Sequence, residues 1–197
     1  MVAVLPTVFV VDDTPQVRRL IERLLRGPEF AVRSFASAEE FLSRYDAEQP
    51  GCLVVDVRMK GMDGLELQRE LLARGIRIPV IVMSAYVEVP GVVSAIRAGA
   101  IDFLEKPFEG EQLLRAVREG IARDRERRQD EARLSSLTPR ERQVLSYLVA
   151  GENTKEIASR MGVSSKTVEG HRIHLLRKLG LRSVVEAVKF ILERRLS

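Results

Sequence analysis

The strongest constraint on the fold is a five-fold alternation of short apolar runs and amphipathic stretches, which continues to about residue 121. The apolar runs have the length of β-strands, and the stretches between them repeat apolar residues at helical spacing. This repeated unit predicts an α/β fold, a flavodoxin-like doubly wound sheet of five parallel strands. The predicted strands are residues 8–11, 31–35, 52–57, 79–83 and 102–105, and the predicted helices are residues 15–26, 37–46, 64–74, 90–98 and 111–121.

Two of these helices begin with capping signals. Thr14 is an N-cap residue that Pro15 follows at the first helical position, where proline is favoured. The run from Ser37 to Glu40 has the spacing of a capping box. The third and fourth strands are apolar throughout, as expected when helices cover both faces of a sheet.

Strand signals stop after this first part of the chain. Thr138 and Glu141 have capping-box spacing around a proline, and Ser164 and Ser183 are candidate caps for later helices. The pattern predicts a small all-α domain of four helices with the spacing of a helix-turn-helix. The predicted helices are residues 138–151, 154–161, 164–179 and 183–195, and the predicted domains are residues 1–121 and 134–197, joined by a charged, helical and solvated linker at 122–133.

The charges are divided unevenly between these domains. The whole chain has a net charge of +4, but residues 1–122 sum to −3 and residues 123–197 to +7. The basic part therefore predicts an anionic partner. The single cysteine, Cys52, excludes a disulfide scaffold and is expected to pack in its strand. No apolar run reaches the ~20 residues of a membrane span, so we expect a soluble, cytoplasmic protein without membrane contact.

Polar residues mark the ends of four predicted strands. Asp12 and Asp13 end the first strand, Asp56 the third, Ser84 the fourth and Lys106 the fifth. Ligands of open parallel sheets bind beyond these carboxyl ends, so the five side chains should meet in one cleft. Three carboxylates in one cleft require a counter-charge, and oxygen-only ligands favour Mg²⁺. Each residue alone is typical of a cap or turn, but together they indicate a phosphoryl-accepting aspartate beside a metal.

With these residues the first domain resembles the receiver domain of two-component response regulators, over about residues 6–121. The resemblance implies that Asp56 is the phosphoacceptor. It also implies that Mg²⁺, with Mn²⁺ as an alternative, is bound by Asp13, Asp56 and the backbone carbonyl of Arg58, while Asp12 acts largely through water. The motifs that carry it are Asp12-Asp13, Asp56-Val57-Arg58-Met59, Gly61-Met62-Asp63-Gly64, Ser84-Ala85 and Phe103-Leu104-Glu105-Lys106-Pro107.

The same resemblance assigns the remaining residues of the cleft. Ser84 would be the switch hydroxyl that bonds the phosphoryl group, and Lys106 would pair with the phosphoryl oxygens. Phe103 would be the aromatic switch that turns inward. The peptide bond before Pro107 is usually cis in this family, which would direct Lys106 into the site.

The third helix of the basic domain has one apolar and one polar face. Ile173 is a solitary apolar residue on the polar face, where contact with a base edge would explain it, although a chance exposed isoleucine is the alternative. Gly170 lies in mid-helix, where glycine destabilises the helix by about 1 kcal/mol relative to alanine. Its presence there suggests close approach of a partner to the backbone. The predicted DNA contacts are Lys166, Thr167, Glu169, Gly170, His171, Arg172, Ile173, Arg177 and Lys178, of which Lys166, Arg172, Arg177 and Lys178 are expected to meet phosphates.

A second resemblance, to the LuxR-type helix-turn-helix, covers about residues 134–197. Together the two domains resemble the NarL/FixJ class of transcriptional response regulators. The resemblance implies a sensor histidine kinase as phosphoryl donor, double-stranded promoter DNA as target and a homodimer on phosphorylation. The motifs are Leu137-Thr138-Pro139-Arg140-Glu141, Lys155-Glu156-Ile157-Ala158 and Lys166-Thr167-Val168-Glu169, and the candidate dimer residues of the fourth helix, which could equally be core residues, are Val184, Val185, Val188 and Ile191.

Two other functions use some of the same features. A Mg²⁺-dependent phosphohydrolase also has an aspartate nucleophile on a doubly wound sheet, but it carries a second aspartate two residues later, where this chain has Arg58. A DNA-binding protein whose receiver is never phosphorylated is the third alternative. We do not expect a turnover enzyme, beyond the receiver's own phosphoryl transfer and slow autodephosphorylation.

Overall fold

A computed structural model describes residues 5–85, 93 and 95–196 of the chain. Contacts within it divide the chain into two units, Met1–Glu126 and Arg127–Ser197. The dividing point falls inside the linker that the sequence predicts at residues 122–133. No helix in the described part of the chain is long and apolar enough to cross a membrane.

The first unit contains a parallel sheet of five strands in the order β2-β1-β3-β4-β5. This confirms the predicted doubly wound α/β fold. Alternate residues of each central strand pack into separate cores: Val8 and Val10 of the first strand lie in one, and Phe9 and Val11 in the other. The strands are β1 (Thr7–Val11), β2 (Ala31–Phe35), β3 (Gly51–Asp56), β4 (Val80–Ser84) and β5 (Ala100–Glu105).

Three helices of this unit begin close to their predicted positions: α1 (Pro15–Leu24), α2 (Ala38–Arg44) and α3 (Gly64–Ala73). Ser37 caps α2 as expected, since its hydroxyl accepts the Glu40 N–H at 3.1 Å. The Thr14 hydroxyl does not cap α1 and instead donates to Asp13 Oδ1 at 3.2 Å. Of the helix predicted at residues 90–98, residues 93 and 95–97 are helical, and residues 90–92 and 94 lie outside the described residues.

The next helix, α4 (Gly110–Ser135), continues through the predicted linker. The linker is helical, but the expectation that it is solvated all round is wrong. Asp124 is only 1% exposed, because the Gly51 N–H at the start of β3 donates to its Oδ2 at 2.9 Å. The composition of the run indicated solvent exposure, because the buried Gly51 amide that requires the Asp124 acceptor lies 73 residues away in sequence.

Cys52 packs against the same helix, as predicted for a core cysteine. It is fully buried, and its thiol lies 3.8 Å from the Val117 carbonyl oxygen. A Cβ on Gly120 would lie 2.9 Å from the Cys52 Cβ, so only glycine allows this close approach. Burial, and then the Asp124 carboxylate, raises the pKa of the thiol to about 12.

The second unit contains four helices after the end of α4, as predicted. Their apolar residues form one core, which includes Val144, Ile157, Val168 and Leu175. Gly162 ends the second of these helices with a φ of +65°, a left-handed conformation that glycine adopts without strain. The helices are α5 (Pro139–Val149), α6 (Thr154–Met161), α7 (Ser165–Leu179) and α8 (Val184–Leu196).

Candidate functional site

The carboxyl ends of the parallel strands bring the predicted cleft residues together. Asp12 directly follows β1, Asp56 ends β3, and Lys106 directly follows β5. The Lys106 Nζ donates to Asp12 Oδ2 at 2.8 Å and to Asp56 Oδ1 at 2.8 Å. One ammonium therefore joins residues from three strands at a single point.

This site is partly removed from solvent. Burial raises the pKa of Asp56; the Lys106 ammonium acts to lower it, and the carboxylates of Asp12 and Asp13 raise it further. Burial acts to lower the pKa of Lys106, but its hydrogen bonds to Asp12 and Asp56 outweigh this effect and the pKa is raised. One strongly held ammonium thus offsets part of the negative charge of the three carboxylates.

The two acids after β1 have different environments. Asp12 is fully buried, and its Oδ1 accepts the Thr14 N–H at 2.8 Å. Arg18 donates to the backbone oxygen of Asp12 at 2.5 Å, a contact that the sequence analysis did not predict. Asp13 is half-buried, and its Oδ2 accepts the Lys60 N–H at 3.2 Å.

The ends of β4 and β5 are joined by their backbones. The Lys106 N–H donates to the Ser84 carbonyl oxygen at 2.7 Å, and Ser84 is 3% exposed. The peptide bond between Lys106 and Pro107 is cis, as the family resemblance implies. Phe103 is half-buried and packs against the core that contains Phe9. The switching roles of Ser84 and Phe103 stay predictions.

The backbone at the end of β3 leaves no room for a side chain at Gly64, the first residue of the next helix. A Cβ on Gly64 would lie 2.2 Å from the Asp56 carbonyl oxygen. Asp63 caps that helix: it accepts the Glu66 N–H at 2.7 Å, and Glu66 accepts the Asp63 N–H at 2.9 Å. The start of α3 is therefore fixed directly against the residue that carries the candidate nucleophile.

The donor chemistry of the site suits a hard cation. Among the described residues, no three side chains of His, Cys, Asp or Glu form a ready ligand cluster. Asp12 and Asp56 instead each give an oxygen to Lys106. The candidate donors are nevertheless carboxylate and carbonyl oxygens, the ligands that Mg²⁺ prefers. The residues fit Mg²⁺ in kind, and the metal site itself stays a prediction.

Helix α7 of the second unit presents most of the predicted DNA contacts to solvent. Its apolar face is buried, with Val168, Leu175 and Leu179 fully covered. Ile173 is 64% exposed, so the solitary apolar side chain does point away from the core. The exposed residues of the polar face are Lys166, Thr167, Glu169, Ile173, His174 and Arg177, and Gly170, His171, Arg172 and Lys178 are half-buried.

Two of the predicted phosphate contacts are engaged within the domain. The Arg172 Nη1 donates to the Thr154 hydroxyl at 2.7 Å. The Lys178 Nζ lies 2.7 Å from Glu141 Oε2 and donates to the Ser136 carbonyl oxygen at 3.1 Å. The Lys178 ammonium thus neutralises a buried carboxylate of its own domain, and the phosphate contacts of Arg172 and Lys178 stay predictions.

Gly170 lies on the exposed side of α7. A Cβ built at this position would have no atom within 4 Å beyond its chain neighbours and the adjoining backbone of its own helix. No packing contact in this domain therefore requires glycine at that point. The expectation that an external partner approaches the backbone here is compatible with this open space.

The fold and the two sites define a class of protein: an aspartate-bearing receiver domain followed by a helix-turn-helix output domain. The response regulator receiver domain family matches residues 8–118, and the family of bacterial regulatory proteins of the luxR type matches residues 135–191. The chain therefore belongs to the response regulators that carry a LuxR-type DNA-binding domain, and it is a transcriptional regulator rather than a metabolic enzyme.

Proteins named as regulators match nearly the whole chain. The transcriptional regulatory protein TdiR of Thauera aromatica is 42% identical over 193 residues, which are 94% of this chain and 85% of TdiR. The transcriptional regulatory protein FixJ of Azorhizobium caulinodans is 42% identical over 192 residues, which are 94% of this chain and 91% of FixJ. The solved structure of the response regulator StyR has a TM-score of 0.61 at 43% identity, and covers 96% of this chain and 99% of StyR.

Proposed function

We propose that Asp56 accepts a phosphoryl group from a sensor histidine kinase, and that the acyl phosphate promotes dimerisation and promoter binding. The observation that supports this proposal best is the bridge that Lys106 makes between Asp12 and Asp56. It places a cation beside a partly buried carboxylate that lies at the carboxyl edge of the sheet. A transferred phosphoryl group would need such a cation for its equatorial oxygens.

The transfer itself requires little from the protein beyond position and charge. An oxygen of the Asp56 carboxylate attacks phosphorus, and the imidazole nitrogen of the phosphorylated kinase histidine leaves. Mg²⁺, or Mn²⁺ in its place, held by Asp13, Asp56 and the Arg58 carbonyl, with Asp12 acting through water, would neutralise charge on the phosphoryl oxygens. Water later attacks the same phosphorus slowly, which returns the free carboxylate. Each receiver would thus be phosphorylated once on Asp56 and then slowly dephosphorylated, instead of turning over many substrate molecules as an enzyme does.

The residues at the ends of β4 and β5 would change their contacts when Asp56 is phosphorylated. The Ser84 hydroxyl would donate to a phosphoryl oxygen, and Lys106 would pair with another after leaving one of its two carboxylates. Movement of Ser84 would give Phe103 room to turn inward. The hydrogen bond from the Lys106 N–H to the Ser84 carbonyl oxygen links the ends of β4 and β5. The movement of Ser84 would therefore be passed from β4 to β5.

The output domain would bind DNA through the exposed face of α7. Lys166 and Arg177 are exposed cations suited to phosphates, and Glu169 and Ile173 are exposed between them for contact with base edges. On α8, Val184 and Ile191 pack against the domain core, whereas Val185 is 78% exposed. We therefore assign a homodimer contact to Val185 and its exposed neighbours on α8.

One experiment separates this function from its two alternatives. The full chain is incubated with Mg²⁺ and acetyl phosphate, and the phosphoprotein is followed on a phosphate-affinity gel beside Asp56→Asn. The proposal predicts one stable label per chain, which is absent from the variant and when EDTA removes the cation. Rapid multiple turnover of acetyl phosphate would instead indicate a phosphohydrolase. A wild-type chain that takes no label, from acetyl phosphate or from kinase, would indicate a phosphorylation-independent DNA-binding protein.

A further inference from the structure

The segment of residues 57–63, called here the β3–α3 loop, directly follows the candidate phosphoacceptor. Its ends are held by backbone hydrogen bonds: the Val57 N–H donates to the Met83 oxygen of β4 at 2.8 Å, and the Gly64 N–H donates back to the Val57 oxygen at 3.0 Å. The middle of the loop has no such local ladder, since it is neither strand nor helix. Two of its backbone donors, the N–H groups of Lys60 and Met62, are bonded instead to acceptor side chains of other elements.

Two carboxylates from distant elements supply those acceptors. Asp13 Oδ2 accepts the Lys60 N–H at 3.2 Å, and Glu39 Oε1 accepts the Met62 N–H at 3.0 Å. Between these points Gly61 has a φ of +78°, and a Cβ there would lie 3.0 Å from the same Glu39 oxygen. Glu39 therefore lies directly against the turn of the loop.

Glu39 is itself well fixed in the first turn of α2. Hydrogen bonds from its own backbone N–H, from the Met62 N–H and from the Ser37 hydroxyl lower the pKa of its carboxyl group. The acceptor is thus anionic at neutral pH, and hydrogen bonds to an ionised acceptor are stronger than neutral ones.

We propose that Glu39 is a positioning residue for the phosphoacceptor site, which holds the β3–α3 loop in place by accepting the Met62 N–H. The inference rests on the proposed function, because the loop carries the Arg58 carbonyl assigned to the cation. Asp13 is assigned to the same cation, so its bond to the Lys60 N–H competes with that task. Glu39 has no such second task, and its bond to the loop persists when Asp13 turns to the cation.

The test uses three variants of the full chain. Glu39→Ala removes the acceptor, while Glu39→Gln keeps an amide oxygen at the same place without the charge. Glu40→Ala is the matched control, because Glu40 lies on the same helix turn but accepts from Ala36 and Arg44 instead of the loop. Circular dichroism and melting temperature establish that each variant is folded.

The first readout needs no cation. Hydrogen exchange of the Met62 amide, followed by NMR, should become about five- to tenfold faster in Glu39→Ala and change less than twofold in Glu40→Ala. Glu39→Gln should lie between them, because its neutral amide oxygen accepts a weaker hydrogen bond than the carboxylate. The second readout is the Mg²⁺ dissociation constant from an NMR titration without phosphoryl donor. It should rise several-fold in Glu39→Ala, rise less in Glu39→Gln and stay unchanged in Glu40→Ala.

Unchanged exchange of the Met62 amide in a folded Glu39→Ala chain would overturn the proposal. So would equal losses in Glu39→Gln and Glu39→Ala, since then the charge and not the hydrogen bond would hold the loop. A wild-type chain that neither binds Mg²⁺ nor takes a label would refute the proposed function, and the exchange experiment would still decide whether Glu39 holds the loop.

Discussion

Lys178 Nζ lies 2.7 Å from Glu141 Oε2 and so joins the last turn of α7 to the first turn of α5. Glu141 is 3% exposed and also accepts the Thr138 N–H at 2.7 Å as part of a capping box. Burial acts to raise the pKa of Glu141, but the hydrogen bonds from Lys178 and Thr138 outweigh it and lower the pKa to about 2. A residue typical of phosphate contact is therefore part of the domain's own structure.

The pH dependence of stability should reveal this pair. Glu141 has a folded pKa of about 2 against an ordinary value of 4.5, so the unfolded chain binds more protons between these values. Its stabilisation is full above pH about 4.5 and is lost as pH falls toward 2. We expect Glu141→Gln to lower the free energy of unfolding of the helical unit by about 2–3 kcal/mol at pH 7, and by progressively less below pH 4.5.

The measurement is hydrogen exchange of core amides of the helical unit, at several pH values, in wild type and variant. Glu131→Gln is the control, because the Glu131 carboxylate is 53% exposed and its pair with Arg127 should contribute under 1 kcal/mol. A wild-type minus Glu141→Gln difference that stays constant from pH 7 to pH 3 would show that this carboxylate does not carry the pH dependence.

The same pair predicts how DNA binding responds to salt. Lys166→Ala or Arg177→Ala removes an exposed cation. Each should lower by about 1 the magnitude of the salt slope, which is the slope of the logarithm of the DNA-binding constant against the logarithm of salt concentration. Lys178→Ala should lower the melting temperature of the helical unit but leave that slope unchanged. The slopes come from fluorescence anisotropy titrations between 50 and 200 mM salt. A slope for Lys178→Ala that falls as much as for Lys166→Ala would show that Lys178 also meets a DNA phosphate.

The sequence predicts contacts at the ends of parallel strands but not contacts that depend on how helices pack. The meeting of Asp12, Asp56 and Lys106 was predictable, because parallel strands bring their carboxyl ends to one edge and each residue adjoins a strand end. The bond from Gly51 to Asp124 was not, because it joins residues 73 apart whose approach depends on how α4 packs. The pairing of Lys178 with Glu141, across 37 residues, depends in the same way on the packing of helices.

Asp124 should stabilise the receiver end of α4. Asp124→Ala leaves the Gly51 N–H without the acceptor that it has now, which costs about 1–3 kcal/mol at a buried site. The only cysteine of the chain, Cys52, reports this opening, because it packs under the same helix. Its reaction with a thiol reagent should become about five- to hundredfold faster in Asp124→Ala.

Two further variants make that result specific. Asp124→Asn keeps an acceptor oxygen and should show a smaller increase, and Glu126→Ala changes an exposed residue of the same helix. If Cys52 reacts no faster in Asp124→Ala than in Glu126→Ala, the buried carboxylate does not fasten the helix.

Base selection should depend on the exposed residues in the middle of α7. Ile173→Ala removes an apolar side chain that is 64% exposed, so it should have little effect on folding. Selection of bound sequences from a random DNA pool should nevertheless show a changed preference for Ile173→Ala and for Glu169→Ala, by about 1–3 kcal/mol at the affected base pair. An unchanged preference in Ile173→Ala would mean that the isoleucine is exposed by chance.

Gly170 offers a test in which stability and DNA binding should move in opposite directions. A Cβ at this position meets no atom within 4 Å beyond its chain neighbours and the adjoining backbone of α7, so Gly170→Ala should stabilise α7 by about 1 kcal/mol through helix propensity alone. If the DNA backbone approaches the helix here, the same methyl group would collide with it, and the affinity of the full chain for its promoter site should fall. Melting temperature and anisotropy titration on one preparation give both values. A variant that melts higher and binds DNA as tightly as wild type would show that no partner approaches Gly170, whereas opposite shifts cannot arise from a change in folding alone.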